Sequence, residues 1–451
     1  MAIEQTLYRY ANFAVHPQAL HLLVSVLEDH TQDPNENEPQ KVINVLCVVN
    51  TTTQTTSTLQ GIDPTDYVHF FASPVFSPNG EKLAWQQWTL PDMPWEGGLI
   101  YVADVVNVTG GDGSISGVRV ENAKKIAGQP LTISATYPSW AGNTTLVFTT
   151  DESGFQNPWK YSTSADEACP VFSQPVEQDF GGPAWTLGGS PYALLDSEGT
   201  SALFTAFKDG YNILYLVDLV QGSSPYQIDC PFTELDDLRL IRPGGNSIVF
   251  LGKRSGLAGK GEAPGGVVTC TISSSVAPAK AIYATLKTDG SGLADLPDGY
   301  ISPPKPATLT VDDKPLYIVL YEPQNPAYAG SSIPGENPPC IINVHGGSYV
   351  PFYHLAVAQK NGFRANFTRA TSTQPDQAVL YESRMGLVSD VVPRPRSLLN
   401  PAFQDGCQLR GLFRIRSSLC VSSHWSFVEE KCCLHESIAV IFSQANGALK
   451  M

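Results

Sequence analysis

The chain has 451 residues, with 28 Lys+Arg against 43 Asp+Glu and a formal charge of −15. At 42% hydrophobic and 16% charged it can bury a large core, which argues against a disordered protein. The acidic balance argues against a nucleic-acid binder, which carries a basic face, and no apolar run approaches the roughly 18 residues of a transmembrane helix.

From the N-terminus, Met1–Leu20 has Glu4, Tyr8, Arg9 and His16 scattered through it and no apolar core, so no signal peptide is expected. Short runs rich in Val, Ile, Leu, Tyr and Phe then follow one another between turn residues. Examples are His21–Glu28, Lys41–Asn50, Leu99–Val106, Thr145–Thr150, Asn212–Leu219 and Ser247–Leu251. Helical periodicity is absent, so these runs predict antiparallel strands. Gly 38 and Pro 35 supply the many turns that such strands need.

A loose repeat runs through this region. Ser73-Pro-Val-Phe-Ser-Pro-Asn-Gly-Glu-Lys-Leu-Ala-Trp85 is echoed by Tyr137-Pro-Ser-Trp-Ala-Gly-Asn-Thr-Thr-Leu-Val-Phe148. Weaker echoes start at Pro183-Ala-Trp185 and at Arg242-Pro-Gly-Gly-Asn-Ser-Ile-Val-Phe250. Repeating units of several strands predict a β-propeller, because one blade cannot bury both of its faces alone. A single β-sandwich is too small for the roughly 300 residues involved.

Ser73–Asp104 resembles the propeller of the prolyl oligopeptidase family of serine peptidases, on its dipeptidyl-peptidase/acylaminoacyl-peptidase-like branch. The most specific stretch is Trp88-Thr-Leu-Pro-Asp-Met-Pro-Trp95. Asp151-Glu-Ser-Gly-Phe-Gln-Asn-Pro-Trp159, Asp179-Phe-Gly-Gly-Pro-Ala-Trp185 and Tyr300-Ile-Ser-Pro303 are similar to that family as well. The resemblance runs to about residue 348. It implies a mainly β fold: a propeller over 1–300, the start of an α/β-hydrolase domain over 301–348, and a non-homologous tail over 349–451 that is expected to be disordered.

Within 301–348, Ala307–Val311 and Pro315–Tyr321 read as strands. Cys340-Ile-Ile-Asn-Val-His-Gly-Gly-Ser348 reads as a short buried strand ending in a glycine turn. In α/β-hydrolases such a turn contributes a backbone N–H to the oxyanion hole. The oxyanion-loop candidates are therefore His345, Gly346 and Gly347. The resemblance implies that the Gly347 amide is the donor and His345 a structural residue of the turn.

The rest of an acyl-transfer site is missing. A Gly-x-Ser-x-Gly elbow should carry the nucleophile. The Gly-x-Ser triplets end at Ser190, Ser201, Ser224, Ser247, Ser332 and Ser348, and none has glycine two residues later. The tail differs in charge too. Residues 1–350 hold 17 Lys+Arg and 36 Asp+Glu, whereas residues 351–451 hold 11 and 7, with eight of the thirteen arginines. The catalytic domain thus reads as truncated, and the chain as an inactive member of a hydrolase family or a non-catalytic binding propeller.

Other candidates are weaker. Cys420, His424, Cys432, Cys433 and His435 fit no common zinc spacing, so no metal is expected. Ser348, His354 and Asp376 lack an elbow. Asp151/Glu152, Asp166/Glu167 and Glu177/Asp179 could hold a substrate's amino terminus but read first as loop carboxylates. Trp85, Trp88, Trp95, Trp140, Trp159 and Trp185 read first as blade packing. The sequons at Asn50, Asn107, Asn143 and Asn366 read as chance matches without a secretory signal. Sparse cysteines without paired spacing (Cys47, Cys169, Cys230, Cys270, Cys340) predict a reducing, cytoplasmic compartment. The expected partner is a small peptide or a related amide or ester, with no cofactor, nucleic acid or membrane.

Overall fold

The computed structural model describes residues 7–32, 41–60, 69–111, 113–184, 187–196, 199–253, 266–288, 304–311, 313–323, 325–328, 330, 333, 340–344, 379–382 and 439–443. The chain divides into two compact units: residues 1–253 with 265–288, and residues 254–264 with 289–451.

The first unit is a β-propeller of five four-stranded antiparallel sheets, each built from consecutive strands. Blade 1 holds β1 (Tyr8–Val15), β2 (Leu22–Asp29), β3 (Ile43–Asn50) and β4 (Thr55–Thr58). Blade 2 holds β5 (His69–Phe76), β6 (Lys82–Thr89), β7 (Leu99–Thr109) and β8 (Ile115–Ala127), with the one-turn helix α1 (Pro94–Gly97) before β7. Blade 3 holds β9 (Ala135–Ala141), β10 (Thr145–Thr150), β11 (Asn157–Ser162) and β12 (Glu167–Pro170). Blade 4 holds β13 (Tyr192–Leu194), β14 (Ser201–Lys208), β15 (Tyr211–Asp218) and β16 (Tyr226–Ile228). Blade 5 holds β17 (Glu234–Leu240), β18 (Ser247–Lys253), β19 (Gly266–Ile272) and β20 (Ala281–Thr288).

The burial along each blade follows from this stacking. A second strand lies between two neighbouring blades, so both of its faces are apolar: β14 reads Ser-Ala-Leu-Phe-Thr-Ala-Phe-Lys and is buried through Ala206. The outer strand β4, Thr-Thr-Ser-Thr, is exposed throughout. Four cores fill the gaps between blades. Leu22, Val24, Leu83 and Trp85 join blades 1 and 2, and Ile100, Trp140, Leu146 and Phe148 join blades 2 and 3. Val147, Phe180, Tyr192 and Phe204 join blades 3 and 4, and Leu214, Leu216, Ile248 and Phe250 join blades 4 and 5. Burying each such large side chain contributes about 1.5–3 kcal/mol.

The repeat has a backbone cause. The first strand of blades 1, 2, 3 and 5 carries a register break at the same place, between residues 11 and 14, 72 and 75, 136 and 139, and 236 and 239. Each break holds a non-glycine residue at positive φ: Asn12 (52°), Ser73 (50°), Tyr137 (57°) and Asp237 (54°). A bulge of this kind bends the strand and re-aims its side chains. The bulge aligns Ser73-Pro74 with Tyr137-Pro138, and Ser190-Pro191, which enters β13, matches them in sequence without the register break. The weaker echo read at Pro183 precedes β13, and the one at Arg242 matches only the turn and second strand of blade 5.

The second unit contains a five-stranded mixed sheet in the order β21-β22-β25-β23-β24. These are β21 (Pro304–Val311), β22 (Lys314–Tyr321), β23 (Cys340–Val344), β24 (Val379–Glu382) and β25 (Ala439–Ser443). β25 runs parallel to β22 and antiparallel to β23. Two short strands from the tail thus complete a sheet begun by the segment before it.

Candidate functional site

In the second unit, β23 is the strand that the sequence places before the glycine turn, and it pairs in parallel with β24. His345, Gly346 and Gly347 lie outside the described residues. So do Ser348, His354 and Asp376, the tail cysteines and histidines, and Trp185. Among the described residues, no group of three or more His, Cys, Asp or Glu side chains is placed to hold a metal ion.

In the propeller, antiparallel alternation puts two kinds of loop at one end: the hairpins between second and third strands, and the connections from blade to blade. Chain exit from β20 is at the same end. Three of the family-like motifs, Trp88–Trp95, 151–159 and the described part of 179–185, map here and are tied into one buried polar seam, whereas Tyr300-Ile-Ser-Pro303 lies outside the described residues. Trp88–Trp95 forms the hairpin around α1, where Asp92, 4% exposed, accepts the Leu131 N–H at 2.9 Å through Oδ2. Gly97 packs on that carboxylate so closely that a Cβ would sit 1.9 Å from Asp92 Oδ2. The Ser134 hydroxyl donates to the Pro94 carbonyl at 2.6 Å, and its N–H donates to Asp151 Oδ1 at 2.7 Å.

The seam continues into blade 4. The Gln156 N–H donates to Asp179 Oδ1 at 2.8 Å, and the Phe180 N–H returns to the Gln156 carbonyl at 2.6 Å. The Asn157 side chain both donates to the Val176 carbonyl and accepts its N–H, at 2.9 and 2.8 Å. The Tyr137 hydroxyl donates to the Gly182 carbonyl at 3.0 Å. Gly181 fits here because a Cβ would lie 2.5 Å from Gln156 Oε1 and 3.1 Å from Thr149 Oγ1. The segments 151–159 and 179–184 thus hold one another in place, and Gly181 permits the close approach.

Electrostatically this end is strained towards protonation. Burial pushes the Asp151 carboxyl up, opposed by backbone N–H groups and reinforced by Asp179 and Glu152. Asp236 is pushed up as well, although solvent reaches it: crowding by surrounding protein comes first, and Asp237 and Glu234 add repulsion that Lys253 opposes. Tyr137, partly buried and with Asp236 nearby, is also raised, burial coming first.

Of the acidic pairs singled out in the sequence, Asp151 and Asp179 are thus hydrogen-bond anchors of the seam. Asp166 is exposed and bound by Lys124 and the Tyr161 hydroxyl, which hold its carboxyl low. Glu152, Glu167 and Glu177 are exposed. Trp85 and Trp140 are blade packing, buried at 1% and 7%. The neighbouring Asp236 and Asp237 carried no motif that sequence reading could have picked out, and Tyr137 stood out only as the start of the repeat echo.

At the opposite end an open cavity of about 280 Å³ lies over the first strands of blades 3 to 5, lined by Ser139, Trp140, Ser190, Tyr192, Asp196 and Arg239 among others. Its charged groups are committed. Burial works against the Asp196 charge, but hydrogen bonds from Thr200 and Ser201 outweigh it and hold the carboxyl low. Arg239 is bound to Asp237 and to the Gly188 carbonyl.

Among solved structures, a puromycin-hydrolysing peptidase of Mycobacterium tuberculosis matches with a TM-score of 0.59 and 25% identity, over 74% of this chain and 46% of that one. The described propeller shares its fold with structures of the prolyl oligopeptidase family. A puromycin hydrolase matches at 0.59 and 22%, over 75% of this chain and 46% of its own. The chain therefore spans about half the length of the puromycin-hydrolysing proteins it matches. No protein-family profile matches the sequence, and no curated protein matches it. No helix among the described residues is long and apolar enough to cross a membrane.

Proposed function

We propose that this chain is the propeller-bearing part of a serine-type peptidase of the prolyl oligopeptidase family, whose substrates are small peptides or related amides and esters. The observation that carries this reading is the fold match to puromycin-hydrolysing peptidases across the propeller. The parent chemistry is acyl transfer: a serine attacks the carbonyl, a histidine takes its proton, an acid orients the histidine, and the Gly347 amide donates to the oxyanion. In this reading β21, β22 and β23 belong to the start of an α/β-hydrolase domain over 301–348, and His345-Gly346-Gly347 after β23 serves the oxyanion position. The propeller limits access to substrates small enough to reach the site.

The chain as it stands has no nucleophile elbow, and we infer that it performs no acyl transfer by itself. A fluorophosphonate probe, which labels activated serines, tests this. The expected result is no labelling; a covalently labelled serine overturns the inference. The absent elbow favours a second reading, a non-catalytic binding propeller. Limited proteolysis supports it if a fragment of about the first 290 residues survives as a folded unit. Cytoplasmic residence, inferred from the sparse, unpaired cysteines, is tested by cell fractionation.

A further inference from the structure

Four described cysteines, all thiols, belong to the propeller. Cys47 lies on β3 and Cys169 on β12, in separate blades. Cys230 and Cys270 instead share the core between blades 4 and 5. Cys270 sits on β19, fully buried; Cys230 follows β16 by two residues and is half-buried at the edge of the same core.

Tyr283 brings them together. It lies opposite Cys270 in the β19–β20 register, with its ring against Phe232 and Phe250. Its hydroxyl donates to the carbonyl of Asp229, the residue before Cys230, at 3.0 Å. Both thiols interact with that one hydroxyl. The loop leaving blade 4 is thereby pinned onto blade 5, with both thiols at the contact.

We propose that Cys230 and Cys270 are a redox-sensitive lock between blades 4 and 5, closed to a disulfide by a hydroperoxide and reopened by a dithiol. Cys230 is reached first, being nearer to solvent. Its sulfur attacks the hydroperoxide ROOH, the O–O bond breaks, and Cys230 sulfenic acid and ROH form. The Cys270 sulfur then attacks the Cys230 sulfur; the S–S bond forms, the S–O bond breaks, and hydroxide leaves with the thiol proton as water. In sum two thiols lose two electrons and two protons, and ROOH becomes ROH and water. Burial pushes the Cys270 thiol up to about 12, so the second step waits on opening of the core edge and is the slow one. The closed loop of about 40 residues restricts the unfolded chain and ties adjacent blades together.

The test treats the full chain with hydrogen peroxide, alkylates remaining thiols under denaturing conditions, and maps peptides by mass spectrometry. The expected product is a Cys230–Cys270 peptide lacking two hydrogens, dominant over other pairings among the nine cysteines. Dithiothreitol should restore both thiols, and Cys230→Ser should abolish the link while leaving Cys270 alkylatable after unfolding. Consumption of Cys230 without the Cys230–Cys270 peptide overturns the proposal, as does indiscriminate pairing of Cys230 with the other cysteines.

Discussion

Tyr192→Phe isolates one hydrogen-bonded contact between blades 3 and 4. Tyr192 is 2% exposed, and its hydroxyl sits 2.6 Å from the Tyr137 carbonyl and 2.9 Å from that of Val147. Blade 4 thus supplies one donor shared by two carbonyls of blade 3, one of them at the strained bulge residue. Deleting the hydroxyl keeps the ring and its stacking on Phe204 at 4.5 Å between centroids, so no large cavity opens. The cost is that of leaving buried carbonyls without their donor, about 1–3 kcal/mol. Part of it is offset because phenylalanine has no hydroxyl to desolvate, which leaves the net value of a typical hydrogen bond, about 0.5–1.5 kcal/mol. For a unit of this size each kcal/mol lowers Tm by about 2–4 °C, so a drop of about 1–6 °C follows. Urea unfolding followed by tryptophan fluorescence, with an unchanged m-value, checks it. A variant as stable as the parent, or more so, would refute the view that this hydroxyl holds the two blades together.

Gly128→Ala should be far more damaging, because Gly128 has φ +85° and an added Cβ would lie 2.2 Å from the backbone oxygen of Gly98. A loss above about 3 kcal/mol, or failure to accumulate soluble protein, is expected, and near-normal unfolding would contradict it. The His16 ring is fully buried between blades 1 and 2, with Nδ1 accepting the Gln18 and Ala19 N–H groups. Burial holds its pKa below the usual 6.5, with His21 adding to the shift and Asn107 opposing it. Below that pH the unfolded chain binds a proton that the folded ring refuses, so stability should fall as pH drops from about 7 to 5. His16→Asn, which retains an acceptor, should flatten that slope; an unchanged slope puts the sensitivity elsewhere. Asp151 and Asp236 act with the opposite sign, since their raised carboxyls favour the folded state below about pH 4 and lose that contribution as pH rises through their folded values.

Much of the fold was legible because strands announce themselves locally. Asn212–Leu219 and Thr145–Thr150 were read within one residue of β15 and β10, since apolar runs bounded by turns leave few alternatives. The repeat between Ser73 and Tyr137 was legible for the same reason. The true third member, Ser190-Pro191, was not: its strand is only three residues long and the aromatic falls elsewhere. The seam was half legible. Trp88–Trp95, 151–159 and 179–185 stood out by resemblance, but nothing in them says that Gln156 meets Asp179 or that Gly97 closes on Asp92. Those partners lie 23 and 5 residues apart and meet through loop geometry rather than through periodicity.

The amino-acid sequence by itself determined that this is a strand-built repeat protein with an acidic front, a basic tail and no nucleophile elbow. Strand pattern, charge and motif absence are properties of neighbouring residues, so no folding is needed to read them. Only the tertiary structure decided that the repeats number five among the described residues, and that Asp151 and Asp179 serve as anchors of the polar seam that runs from blade 2 to blade 4. It alone brought Cys230 and Cys270 into one core and onto one tyrosine hydroxyl. The physical reason is that stacked blades bring together residues far apart in sequence, and burial then changes what each polar group can do.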